Sequence, residues 1–583
     1  MPPIFNFDTN NSLLDAVRLI LIVSTPLAFL TSIGLLSLYR RAVLRQMQSR
    51  LDPMTPPPAA TETATPSDEP IQTPLRVNVV DSTSPTTGSP KLGGLYSALL
   101  DGPRRAAMIY TVAGLCYGLV TTLIFLRATK SEFQLLKFMV VFWHYAWPVA
   151  ITLSLLAASS WRAKLKVFAT YFLIIVVLGV MSVVGNSASN WLQIVALWFT
   201  TNFPAALLLL AFLNRRVQAV GPLVLTFMVL AATGLVLLPT FAINIGEIWN
   251  PLMSVRAALG WGISSIFNLV FLVGVLGFAL LGWLAVRWIG SWYRRKKISE
   301  QSITMDAIWL LFAIFQAVGL IFEGEHWFSV SLLAFAVYKG TAWAGFWIAN
   351  RYAPLSQVHP NLLVLRVFSP GKRSEQFFDT LSKHWRPVGS MLLIAGPDLA
   401  ASTIEPHEFL DFLSGNLSRQ FIDSSQTLET RLRQMDLRPD HDGQFRVNDY
   451  FCYDDTWKMV LSRLVRESDG AIMDLRGFSA QNSGCIFEIR ELVNLMPLGQ
   501  VTFLIDDSTD EPFLQQILQQ SWDEMSHKSP NRAPRSGMPS LLRLGQPGQA
   551  ELQKLLQVLA NAVNAGSETR VLAPANASGL KSS

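Results

Sequence analysis

The groups most able to do chemistry lie late in the chain, at the ends of short apolar runs. One carboxylate, Glu488, follows the segment Asn482-Ser483-Gly484-Cys485-Ile486-Phe487, which places it near the start of a helix. There it can face a ligand, complement the helix dipole, or pair with Arg476 or Arg490. The other polar groups follow four apolar runs: Ser369, Gly371, Lys372 and Arg373 after the first, Asp398 after the second, Arg476 and Ser479 after the third, and Asp506 after the fourth. Ser369-Pro370-Gly371-Lys372-Arg373 runs straight into a helical stretch, where backbone N–H groups and two cations can hold a phosphate. It is not a P-loop, because GxxxxGK[ST] is absent. Cys485 has no histidine near it in sequence and reads as a small packing residue.

The elements that would position these groups begin near residue 360. Apolar runs at 361–368, 390–395, 470–475 and 500–506 read as strands. Amphipathic stretches at 372–384, 405–421, 455–467, 484–495 and 548–564 read as helices. Short strands separated by helices indicate a doubly wound, Rossmann-like α/β sheet over 355–565 with mostly parallel strands, and ligands bind such sheets beyond the strands' carboxyl ends. Arg366 and Asp474, within or at the end of strands, are unusual packing choices and suit a buried ion pair or a ligand cleft. The segment 422–454 is irregular and reads as a lid or a hairpin around Asp442-Gly443.

The stretch Ser468-Asp469-Gly470-Ala471-Ile472-Met473-Asp474-Leu475-Arg476, with the helix that carries Glu488, resembles Toll/interleukin-1 receptor-like (TIR-like) domains and is similar to nucleoside 2-deoxyribosyltransferase-like folds. The resemblance spans about 361–508. It implies a nucleotide-like small-molecule ligand such as NAD, and a role for Glu488 in cleaving an N-glycosidic bond, where a carboxylate stabilises or attacks an oxocarbenium-like centre. The chain departs from the TIR pattern at its first strand, which reads LRVFSPGKR in place of an aromatic-Ile-Ser motif, and in the insertion at 422–454.

Upstream, the chain is of another kind. Half of its 583 residues are hydrophobic and 15% are charged, against about a quarter charged in soluble domains. A bilayer core needs roughly 20 apolar helical residues. Nine runs meet that length: 19–39, 106–126, 137–158, 166–184, 191–213, 219–241, 263–288, 305–322 and 327–349. The expected architecture is therefore a multi-pass α-helical membrane protein. It comprises an anchor at 1–40, a flexible Pro/Ser/Thr-rich cytoplasmic linker at 41–104, an eight-span domain at 105–350, the α/β domain, and a disordered tail at 566–583.

The excess of Lys and Arg at Arg40, Arg41, Arg45, Arg215, Arg216 and Arg294 to Lys297, with an odd span count, places the N-terminus outside and the α/β domain in the cytoplasm of a plasma or inner membrane. Three cysteines without metal spacing argue against structural zinc and disulfides, and no metal or cofactor is expected. The partners expected are the lipid bilayer and a second copy of the chain. Nucleic acid is not among them, since topology accounts for the basic residues. Inside the bilayer, ionisable groups are costly. Lys339 and His144 are the intramembrane polar candidates, with Lys339 expected to pair towards Glu323, Glu325 and His326 or within the bundle. Residues 244–262 read as an interfacial helix.

Overall fold

The fold is that of a computed structural model, described over residues 9–48, 75–81, 93–158, 161–185, 191–210, 215–244, 246–320, 323–324, 326–351, 359–366, 372–395, 405–532, 537–545 and 549–572. The chain divides into two units, one of packed apolar helices and one built on a sheet.

The helical unit draws on α1 (Thr9–Gln48), α2 (Gly93–Ala128), α3 (Leu135–Tyr145), α4 (Trp147–Leu156), α5 (Trp161–Gly185), α6 (Trp191–Leu210), α7 (Arg215–Asn244), α8 (Gly246–Leu259), α9 (Ile263–Arg294), α10 (Glu300–Leu320) and α11 (His326–Arg351). Among the described residues five helices are long and apolar enough to cross a bilayer: Pro26–Gln48 of α1, Asp101–Ala128 of α2, Trp161–Val184 of α5, α9 and α11. The expected third span is broken. Pro148 lacks an N–H and disfavours helical backbone in the residue before it, so α3 and α4 meet at 44° and count as a sixth span only if joined. Helices α6, α7 and α10 occupy the remaining runs, but their described portions do not add to that number. Among the described residues of α7 the apolar stretch is Val220–Gly234. The nine spans read from sequence are thus not supported: among the described residues the candidates number five, or six if the bent pair is one span.

Close helix packing in this unit uses glycine. A Cβ on Gly234 of α7 would lie 2.2 Å from the Gly274 carbonyl oxygen of α9, and one on Gly274 would lie 2.3 Å from the Gly234 oxygen, so the two backbones touch, as small residues allow in membrane helices. Around Trp309, which is fully buried, stand Tyr117 and Tyr338, each 5.1 Å away between ring centroids. The Trp309 indole N–H donates to Thr152 Oγ1 at 3.3 Å.

The sheet unit has eight parallel strands: β1 (Asn78–Asp81), β2 (Asn361–Arg366), β3 (Ser390–Ile394), β4 (Phe421–Ile422), β5 (Val447–Cys452), β6 (Gly470–Asp474), β7 (Val501–Ile505) and β8 (Ser540–Arg543), in the order β1-β8-β7-β6-β2-β3-β5-β4. Helices α12 (Lys372–Trp385), α14 (Ser425–Arg433), α15 (Trp457–Glu467), α16 (Ser483–Leu495), α17 (Glu511–Asp523) and α18 (Gln549–Leu572) connect or flank them, and α13 (Pro406–Leu413) lies between β3 and β4 in sequence. Parallel strands are covered on both faces, so each must be apolar throughout, and β2, β6 and β7 are buried at every position. One core joins Leu363, Met473 and Phe503 to Leu464 of α15, Ile489 of α16 and Leu514 of α17.

All four strands read from sequence are present. The irregular insertion is corrected: it contributes α14 and β5, and β5 pairs parallel with β3, which is no hairpin. The turn at Gly443 does exist, with φ +78° and its N–H donating to Asp440 O at 2.9 Å. Arg446 holds it by a two-pronged bond from Nε to the buried Asp440 carboxylate at 3.1 Å.

Two boundaries also change. Residues 78–81 of the expected linker form β1, an edge strand in register with 540–543 of β8; three valines in Val77-Asn78-Val79-Val80 supply a β-branched run that a composition average over 51–90 hides. Residues 49–74 and 82–92 of the linker, and 573–583 of the tail, lie outside the described residues, whereas 566–572 continue α18. The helix read at 405–421 is cut to α13, which belongs to the helical unit. There Leu410 faces Gly290 of α9, Phe412 meets Tyr39 of α1 edge-on at 5.3 Å, and Tyr293 Oη donates to Glu405 Oε1 at 3.0 Å.

The β1 pairing predicts a specific lesion. Asn78 N–H donates to Pro539 O at 3.0 Å, and two residues on, Val80 presents its N–H to the same strand. Val80→Pro should cost about 1–2 kcal/mol through the lost ladder bond and open 75–81 to protease, read by limited proteolysis of the full chain.

Candidate functional site

The order of strands places a crevice between β2 and β6. From β2 the chain crosses through α12 to β3 on one side, and from β6 it crosses through α16 to β7 on the other. At such a switch point the two outgoing connections part and leave room for a ligand at the carboxyl edge. The last residues of the two strands are Arg366 and Asp474, directly opposite one another in register. Both are buried, at 8% and 5% exposure.

Asp474 is bound chiefly by its neighbour two residues on. Arg476 Nε donates to Asp474 Oδ1 at 2.7 Å, Nη2 donates to Oδ2, and the Arg476 backbone N–H also reaches Oδ1 at 3.2 Å. The guanidinium lies over the Phe377 ring of α12 at 5.0 Å. Although burial works against its charge, the Asp474 carboxylate and then Asp506 outweigh that and raise the Arg476 pKa. Arg476 is therefore fixed as a cation at the crevice, not a loose surface residue.

At the end of β7, buried Asp506 accepts from Ser508 N–H at 3.0 Å and from the Ser508 hydroxyl, and its own N–H donates to Thr509 Oγ1 at 3.1 Å. The Thr509 hydroxyl then donates to Leu475 O at 3.1 Å, which ties the β6 and β7 ends together. Ser479 is structural: its N–H and hydroxyl donate to Asn482 Oδ1 at 2.9 and 3.1 Å and shape the entry to α16.

Glu488 lies in the second turn of α16 and is 3% exposed. Burial pushes its carboxyl up to about 8, and the only opposing influence is the Arg366 charge. Its Oε2 is buried and makes no hydrogen bond among the described residues. Its burial does not suit pairing at the surface, and Arg476 is engaged by Asp474. A buried, raised carboxyl beside a buried arginine at a switch point is costly for stability, and such perturbed groups concentrate at functional sites. Cys485, in the first turn of the same helix, is buried with its thiol 3.8 Å from Arg366 O, as a packing residue would be.

The structure thus gathers Arg476, Asp506 and Glu488 with Arg366 and Asp474 at one sheet edge. Ser369, Gly371 and Asp398 lie outside the described residues. Lys372 and Arg373 begin α12, but their side chains are likewise not described, so the phosphate cradle read from SPGKR is not part of the geometry above. Among the described residues no group of His, Cys, Asp and Glu could hold a metal. The intramembrane candidates are separate from this site. Lys339 Nζ meets Asp306 Oδ2 at 2.6 Å, so its ion-pair partner among the described residues is on α10. His144 is buried, with Nδ1 bonding the Val140 carbonyl one helical turn back at 2.6 Å.

No known protein family, curated protein or solved structure matches the chain.

The buried carboxyl has a pH signature. Its pKa rises from about 4.5 unfolded to about 8 folded, so between those values the folded state holds the extra proton and stability falls as pH rises, by about 1.4 kcal/mol per unit. Below that window the penalty is absent, and above it the penalty is constant. Glu488→Gln should flatten this slope and stabilise the domain at alkaline pH, as read from denaturant midpoints across the window.

Proposed function

We propose that the protein is a membrane-held signalling or effector protein whose α/β domain binds a nucleotide-like small molecule at the β2/β6 crevice. The observation that carries this reading is the placement of buried Arg366 and Glu488, with Asp474, Arg476 and Asp506, at the topological switch point of a parallel sheet. The carboxylates Asp474 and Asp506 suit sugar hydroxyls, as an acidic residue does at the edge of dinucleotide-binding sheets. The cations Arg366 and Arg476 suit phosphate. The TIR-like resemblance points to the same ligand class, with NAD as its first member.

A second reading is cleavage of the ligand's N-glycosidic bond. It is favoured by one observation: a carboxyl pushed up to about 8 holds its proton at neutral pH, which suits a general acid that protonates a departing base. In that role, for a neutral nucleoside, the bond between the sugar carbon and the base breaks as Glu488 gives its proton to the base, and water adds to the sugar carbon and returns a proton to the Glu488 carboxylate; nicotinamide leaves NAD as a neutral base and takes no such proton. The non-enzymatic alternative, a ligand sensor acting on the bundle, is favoured by α13, a helix from the sheet's own β3–β4 connection that packs in the helical unit. The sidedness proposed, N-terminus outside and α/β domain cytoplasmic, now rests on the Lys and Arg bias alone, because the parity of nine spans no longer applies.

The test uses the full chain in detergent with a panel of nucleosides, nucleotides and NAD. Saturable binding of at least one is expected, weakened roughly tenfold or more by Arg366→Met, as loss of a charged hydrogen bond predicts. Release of free base that Glu488→Gln abolishes would add catalysis; binding without release would leave a sensor. A folded protein that binds none of the panel would remove the nucleotide reading.

A further inference from the structure

The carboxyl-terminal end of α9 joins apolar, aromatic and basic groups in a sequence that fits a membrane boundary. At 32 residues α9 is about 48 Å long, against a hydrocarbon core of about 30 Å, so its ends extend beyond hydrocarbon. Leu276, Leu280, Leu284 and Trp288 are exposed along it. The last turns then carry Trp292 and exposed Arg294 and Arg295, followed by exposed Lys297.

These groups are held in place. Arg295 N–H donates to Ser291 O at 3.0 Å, Lys296 N–H to Tyr293 O at 3.0 Å and Lys297 N–H to Trp292 O at 3.0 Å. This is a Schellman close, whose left-handed position normally takes glycine. Here it is Lys296 with φ +58°. The chain turns back at that point and carries Lys297 over the Trp292 ring, 5.6 Å from its centroid, while Trp292 lies 3.9 Å from the Trp288 ring centroid. Arg294, Arg295 and Lys297 form no ion pair among the described residues. Glu405, which the Tyr293 hydroxyl at this end reaches, is engaged also by His407.

We propose that the capped end of α9 is a binding surface for anionic phospholipid headgroups, with Arg294, Arg295 and Lys297 on phosphate and the Trp288–Trp292 pair seated among the upper acyl chains. Charge complementarity fixes the occupant: unpaired cations directly continuous with a lipid-facing apolar stripe attract anionic lipid and not zwitterionic lipid, and paired tryptophans settle at the headgroup level. The surface is independent of the crevice at the sheet edge and of any ligand bound there.

The experiment places the full chain in bilayers containing spin-labelled phosphatidylglycerol or spin-labelled phosphatidylcholine, and reads the fraction of each lipid motionally restricted at the protein. The wild type should prefer phosphatidylglycerol, and added salt should weaken that preference. The triple variant Arg294→Gln, Arg295→Gln, Lys297→Gln should lower the preference at least roughly tenfold, since each cation at an anionic surface contributes a factor of about five. An unchanged preference in a folded triple variant would overturn the proposal. So would a wild-type preference insensitive to salt, which needs no variant, and so would equal competition by inorganic phosphate, which would mark a soluble-anion site.

Discussion

Everything at the candidate site depends on the parallel sheet being wound in two directions from β2. A parallel strand can be reached only by a crossover, and every crossover covers a face of the sheet. With β3 and β6 on opposite sides of β2, the α12 and α16 connections leave the sheet on opposite faces, and the carboxyl edge between them is the place where neither connection closes over the strands. Arg366 and Asp474 end the two strands on either side of that gap. Glu488 enters from α16, whose start is fixed by the Ser479–Asn482 bonds. The polar groups are thus brought together by winding, not by a contiguous motif.

The same site carries an electrostatic tension. Asp474 and Arg476 hold each other with two side-chain bonds, which fix both groups at the crevice. Glu488 is different: burial keeps its proton on, and the Arg366 charge only partly opposes this. A neutral carboxyl and a nearby buried cation present one donor and one charge with little local cost of reorganisation, an arrangement useful for holding or protonating a ligand and unhelpful for stability.

The two units are interleaved along the chain. The sheet takes its edge strand β1 from the segment between α1 and α2, while the helical unit takes α13 from the sheet's β3–β4 connection. Each exchange has a packing reason. Val79 and Val80 extend the parallel ladder beyond β8, and Phe409, Leu410 and Phe412 give α13 an apolar face that Gly290 admits. Neither exchange would follow from composition, which assigns the first segment to a linker and the second to a soluble domain.

What the sequence determined by itself was set by local periodicity and by burial on both sheet faces. The apolar runs at β2, β3, β6 and β7, the amphipathic α12, α15 and α16, the membrane character of the first half, and the oddity of Arg366 and Asp474 are all legible because each needs only a few neighbouring residues. The short strands β1, β4 and β8 were not legible, since two to four residues carry too little pattern. The Lys339–Asp306 pairing across 33 positions and the burial of Glu488 were decided by tertiary structure alone. A helix's own sequence places Glu488 near its start, but only the packing of α15, α16 and α17 over the sheet removes that carboxyl from water and changes its chemistry.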